Sequence, residues 1–196
     1  MKFIAHRINT VSQLKDVPVD YGVEVDIRDQ EDRLILQHDP FRNGEPFESF
    51  LNNYRHGILI LNIKSERIEL KVIELLRRYQ IMHYFFLDSS FPMIYQLTQH
   101  GEQNIAVRFS ELESIGTVEA LAGRVRWVWV DCFTKLPITP GDYTKLKRMG
   151  YNLCLVSPEL HGREEDIEVY RDYLRNNCIK FDAICTKLNN IDRWRQ

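Results

Sequence analysis

Long apolar stretches are missing from this chain. Nothing approaches the roughly 18 uninterrupted apolar residues that a membrane span requires. The opening MKFIAHR carries neither the apolar segment nor the small-residue cleavage site of a signal peptide. The expectation is a cytoplasmic protein with no integral membrane segment. An excess of one charge is lacking too: 26 Lys and Arg against 28 Asp and Glu leave a formal net charge of -2. No global field therefore draws the chain to nucleic acid or to a membrane, although a local basic pocket could still hold a phosphate. Cysteine is scarce. Cys132, Cys154, Cys178 and Cys185 make no CxxC pair and no regular framework, so nothing asks for an oxidising compartment. Cys154 and Cys185 sit inside apolar runs and read as buried small hydrophobes. No Pro/Gly/Ser-rich linker or shift in composition divides the chain, and residues 1–196 are expected to form one domain.

What the chain does contain is a repeating pattern. Short apolar, β-branched or aromatic runs occur at 2–6, 22–27, 58–63, 84–88, 104–109, 127–131, 152–156 and 181–185. Several are almost continuously hydrophobic, as strands buried on both faces should be. Amphipathic segments lie between them. Residues 66–79 place Ile68, Val72, Leu75 and Leu76 on one face. Residues 163–177 begin with acids and carry Arg175 near the end, which suits the helix dipole. Residues 140–150 stop at Gly150. Strands alternating with helices predict an α/β fold with a parallel sheet, and eight repeats favour a compact (β/α)8 TIM barrel over an open doubly wound sheet. One link differs. After 22–27 comes RLILQHD, which reads as a further strand reached through the turn-like 29–32. A hairpin there returns His38 towards the C-terminal mouth, where the active sites of such barrels lie.

The polar residues concentrate at the ends of the first strands. His6 and Arg7 close the first; Glu24 and Asp26 alternate on one face of the second; His38 and Asp39 end the hairpin; Asn62 and Lys64 share a face of the third. Like charges on one buried face need a counterion, and a divalent cation held by oxygen ligands is one solution. Two histidines can donate and accept protons near neutral pH.

AHR at 5–7, GVEVDI at 22–27, LILQHDP at 34–40 and LNIK at 61–64 resemble the glycerophosphodiester phosphodiesterases, PLC-like phosphodiesterase TIM barrels with sphingomyelinase D-like relatives. FFLDSSF at 85–91 and FDAICTK at 181–187 extend the resemblance more weakly along the chain. It implies a metal-dependent phosphodiesterase acting on a small glycerophosphodiester-like substrate. His6 and His38 would be the acid/base pair, Arg7 and Lys64 the phosphate contacts, and Glu24, Asp26 and Asn62 the ligands of Mg²⁺ or Ca²⁺. The chain departs from the family pattern at Ile8, where a glycine is usual, and in a first loop reduced to Asn9-Thr10. Asn62 stands where an acid is usual, and Lys187 occupies an acidic position of the closing strand. These departures frame the alternative, a catalytically impaired barrel that binds a phosphorylated ligand.

Later strands add possible substrate-binding residues. Arg108 is a cation within its strand, Asp131 closes the 127–131 run, and Glu159 and His161 lie in the polar loop after 152–156. Glu159 is also a candidate replacement for the missing ligand. Trp127 and Trp129 share one face and are read as core. His56, His83 and His100 lie at helix ends or linkers and are read as solvent-exposed.

Overall fold

Every residue of the strand Leu59–Ile63 is buried. A strand covered on both faces has no solvent side to present, which is why this segment is apolar until Asn62 interrupts it. The computed structural model describes residues 1–195. It has two compact units, Ala5–Gly101 and a second composed of Met1–Ile4 with Glu102–Gln196.

In the Ala5–Gly101 unit, β2 (Gly22–Gln30), β5 (Leu59–Ile63) and β6 (Tyr84–Leu87) run parallel, and the register sets Asp26 opposite Asn62. The hairpin forms as expected: β3 (Arg33–Leu36) pairs antiparallel to β2 from Ile27↔Leu36 to Gln30↔Arg33. β2 is longer than the 22–27 run, because Arg28, Asp29 and Gln30 continue the ladder. The turn expected over 29–32 shrinks to Glu31 and Asp32, with Glu31 at φ 56. A short β4 (Glu45–Pro46) pairs with β3 and leads into α2 (Phe47–Asn53), whose Phe47 and Phe50 are fully buried. α1 (Val11–Lys15) precedes β2, and α4 (Phe91–Gln99) follows β6. Between β5 and β6, α3 (Glu69–Arg78) buries Val72, Leu75 and Leu76, with Ile68 at its N-cap also buried.

The other unit has β1 (Lys2–Ala5), except its last residue, beside β10 (Ala183–Thr186), then β9 (Asn152–Val156), β8 (Trp127–Val130) and β7 (Ala106–Phe109) in that order. The pairings β7–β8, β8–β9 and β9–β10 are all parallel. Helices α5 (Ile115–Ala120), α6 (Pro140–Arg148) and α7 (Asp166–Asn176) make the returns, and α8 (Ile191–Arg195) ends the description. α6 starts with a reciprocal Thr139–Asp142 capping box, and Gly150 at φ 84 follows its last turn. Trp127 and Trp129 are both buried. Each parallel crossover runs through a helix, so the α/β class read from the alternation is the class that forms. Among the described residues no helix is long and apolar enough to cross a membrane.

Candidate active site

The cluster is assembled on β2. Alternation turns Glu24 and Asp26 to one face, and both carboxylates are buried. Such a pair demands donors, and the chain leaving β1 delivers them. Arg7 adopts φ 56, an uncommon conformation for a residue with a Cβ. The bend directs its backbone N–H to Glu24 Oε2 at 2.8 Å, while Ile8 N–H reaches the Glu24 carbonyl at 2.8 Å. Its side chain turns to the other acid, with Nε 3.6 Å from Asp26 Oδ2. Asn9 completes the lacing: its Nδ2 donates to Asp26 Oδ2 at 2.9 Å and its Oδ1 accepts from Asp26 N–H at 2.9 Å.

The neighbouring strand supplies the rest. Asn62 Nδ2 donates to Glu24 Oε1 at 2.8 Å. Lys64 continues from β5, its N–H bonded to the Ile27 carbonyl at 2.9 Å. Its Nζ stands 3.7 Å from Asp26 Oδ1 and 3.5 Å from Asp88 Oδ2, just beyond β6. His6 Nε2 lies 3.8 Å from Glu24 Oε2. Burial first, and the charge of Asp26 second, push the Glu24 carboxyl up to about 7, against the donors Asn62 and Arg7 and the charge of Lys64.

His38 is held differently. Arg28 grips its carbonyl through Nε and Nη2 at 3.2 and 3.0 Å, and its ring Nδ1 lies 2.8 Å from Asp39 Oδ1. The hairpin end sits beside β2, since Gln37 N–H reaches the Asp26 carbonyl at 2.9 Å. Among the described residues, however, no hydrogen bond or ion pair joins the His38 ring to the acids. The His38 hydrogen bond draws the Asp39 carboxyl below its ordinary range.

The structure thus interlinks His6, Arg7, Glu24, Asp26, Asn62 and Lys64, with His38 on the adjoining loop. Asn9, Asp88 and Arg28 belong to the arrangement without having been singled out. The signal for Asp88 was present, an acid directly after the apolar 84–87; Asn9 had none beyond its place after Arg7.

A hard divalent cation prefers oxygen ligands, and the donors here match that chemistry. Asp26 Oδ1 and Asn62 Oδ1 are buried without a hydrogen-bond partner, so each has an oxygen to offer. In number the set is modest: among the described residues no group of three or more His, Cys, Asp and Glu side chains could hold a metal. Glu24, Asp26 and the Asn62 amide are the oxygen donors available.

The other predicted residues lie in the second unit, where they form separate groups. Asp131 is buried at the end of β8, where it binds the Arg108 guanidinium and takes His161 Nε2 at 2.7 Å. Phe133 packs 5.0 Å from the His161 ring and 5.7 Å from the Arg108 guanidinium carbon. Glu159 is buried, accepting from the Ser157 hydroxyl, from Thr186 Oγ1 at 2.5 Å and from Lys187 N–H at 3.0 Å. Its carboxylate is committed to tying β9 to β10.

No family model matches the chain, and no curated protein matches it in sequence. Solved structures do. The chain is similar to a glycerophosphodiester phosphodiesterase from Agrobacterium tumefaciens str. C58, with a TM-score of 0.69 and 16% identity over 100% of both chains. It is also similar to a glycerophosphoryl diester phosphodiesterase from Parabacteroides distasonis ATCC 8503, with a TM-score of 0.61 and 14% identity, covering 95% of this chain and 82% of the other. This chain therefore has the α/β fold of glycerophosphodiester phosphodiesterase structures.

Proposed function

We propose that the chain is a phosphodiesterase acting on a small glycerophosphodiester-like substrate at the cluster on β2 and β5. The observation that carries this reading is the convergence of two cations, Arg7 and Lys64, and a histidine, His6, on one buried acid pair. Asp26 stands between Arg7 and Lys64 and holds them apart, leaving two positive groups to receive the non-bridging oxygens of a phosphate.

The reaction is a displacement at phosphorus. A water or a neighbouring hydroxyl of the substrate forms the new P–O bond and gives its proton to one histidine. The bond to the departing alcohol breaks, and the other histidine protonates that oxygen. His6 is oriented by Glu24 and His38 by Asp39, so each ring has a carboxylate behind it. A divalent Mg²⁺ or Ca²⁺, held by Glu24, Asp26 and Asn62, would supply charge neutralisation at the phosphate. Asn9 would help fix Asp26 in this arrangement, since it holds both the carboxylate and the backbone N–H.

A second reading has its own support. Asp26 is already countered by Arg7 and Lys64, Glu24 already accepts from the Arg7 backbone N–H and the Asn62 amide, and His38 stands outside the interlinked cluster. A barrel that binds a phosphorylated ligand without cleaving it is consistent with both features.

The test is cleavage of glycerophosphodiesters, lysophospholipids and an aryl phosphodiester with Mg²⁺, with Ca²⁺ and with chelator, beside His6→Ala, His38→Ala and Lys64→Ala. Metal-dependent turnover that falls by at least about 100-fold in each histidine variant supports the enzyme. Turnover indifferent to both histidines overturns the mechanism, and tight phosphate binding with no turnover selects the second reading.

A further inference from the structure

At the opposite ends of the same strands lies an open cavity of about 570 Å³, lined wholly by residues of the Ala5–Gly101 unit. It opens where α2 and α3 end and where β5 and β6 begin. β5 is five residues long, so this cavity stands about 16 Å from the Lys64 end. Barrel folds place their chemistry at the strand C-termini, and no role in the proposed reaction falls to this end.

Its polar lining is one-sided. Arg55, Arg78, His56 and His83 face it, and no Asp or Glu is among the described residues that do. Arg78 does touch carboxylates outside the lining, Glu48 at 3.5 Å and Glu74 at 3.2 Å. Those acids are 52% and 70% exposed, and exposed pairs of that kind are weak enough to yield to a competing anion.

His56, read from the sequence as solvent-exposed, is half-buried in the structure. Its Nε2 lies 2.9 Å from the Val17 carbonyl, and a carbonyl only accepts, so Nε2 carries the hydrogen. That leaves Nδ1 buried without a partner. In the neutral ring Nδ1 is a bare acceptor; protonated, it becomes an N–H with nothing to receive it. The Tyr54 ring lies 5.6 Å from it, tilted by 39°. The wall also contains Gln80 at φ 57, the left-handed position after α3 where glycine is favoured. A residue kept in that region presents a side-chain amide that glycine would lack.

We propose that this cavity is a second ligand site, taking a phosphate monoester or free phosphate between Arg55, Arg78, His56 and His83. Guanidinium groups match phosphate oxygens geometrically, and a doubly charged anion satisfies several donors at once. The volume falls within the range that holds small ligands. This inference does not depend on the phosphodiesterase reading, since it shares no residue with the other cluster.

The experiment follows the imidazole signals of His56 and His83 by NMR in the full chain. Inorganic phosphate and phenyl phosphate are titrated in parallel, with sodium chloride matched in ionic strength. Lys64→Gln serves as background, so that occupancy of the β2–β5 cluster is kept separate. The expected result is a saturable shift of both rings, retained in Lys64→Gln and weakened about tenfold in Arg55→Gln and in Arg78→Gln. Both arginines are exposed, and amide spectra verify that the variants remain folded. Tighter binding of phenyl phosphate identifies an organic monoester as the ligand class, and equal binding identifies free phosphate. Rings unmoved by either phosphate overturn the proposal. So do shifts reproduced by chloride, or shifts indifferent to both arginine variants.

Discussion

Asn9 does what neither type of charged residue could do in its place. An amide both donates and accepts. Asn9 uses that to hold the carboxylate of Asp26 and its backbone N–H together. Replacing it by alanine removes both bonds while leaving every proposed substrate contact in place. Asn9→Ala is expected to lower kcat roughly 10- to 100-fold, as losses of residues supporting a functional group do, and steady-state kinetics beside a thermal melt separate this from unfolding. Asn62→Asp deletes the donor to Glu24 and adds a third negative charge beside two buried ones. In chelator it is expected to lose about 2–3 kcal/mol, or roughly 4–12 °C in Tm for a chain of this size. Millimolar Mg²⁺ should restore more of that Tm than it adds to the parent protein. The cysteines give a simpler check. Cys132, Cys154 and Cys185 are buried and Cys178 is exposed, and burial pushes the Cys132 thiol up to about 12. A thiol reagent should therefore label Cys178 in the folded protein and all four cysteines in denaturant.

At the scale of elements, two joints are exposed to test. Arg193 of α8 donates to both carboxylate oxygens of Glu168 on α7, at 2.6 Å each, and its hydrogen bonding brings the Glu168 carboxyl down to about 2. A depressed carboxyl stabilises the fold fully above its ordinary pKa, and the contribution disappears as pH falls from about 4.5 towards 2. Because the pair is partly solvated the effect is modest, but its sign is definite. Glu168→Gln should show a shallower loss of stability across that acid range, followed by the fluorescence of the buried Trp127, Trp129 and Trp194. The second joint is the loop returning from β3. A Cβ added at Gly44 would fall on the Leu36 carbonyl, with its carbon at 2.9 Å. Both are backbone atoms that can move only with the strand. Gly44→Ala is expected to cost about 1–3 kcal/mol, measured by denaturant unfolding.

For the molecule as a whole, the strands were the most legible part of the sequence. Continuous apolar runs announce strands buried on both faces, and each run named from the sequence overlaps a strand in the structure. Short helices were harder to foresee: α1 and α5 have five and six residues, too few for a helical period to emerge. β4 carries a proline and only two residues, and it exists because β3 offers it an edge. In the site, residues that alternate on a strand could be placed on a face by counting. The pairing of Asp26 with Asn62 needed the register between β2 and β5, which spans 36 positions of sequence. The grip of Asn9 on Asp26 depended on the bend at Arg7, and a positive φ leaves no trace in a residue that is neither glycine nor asparagine.

That bend has a calorimetric consequence. Arg7 N–H, Ile8 N–H and the Asn9 side chain are all committed to β2 before any ligand arrives. The conformational freedom of the segment is spent during folding, so an incoming phosphate has little left to order. Binding to the parent chain should carry a small entropic penalty. In Asn9→Ala the same contacts would form from a looser start, with a similar enthalpy, a larger opposing entropy and a slower approach to the bound state.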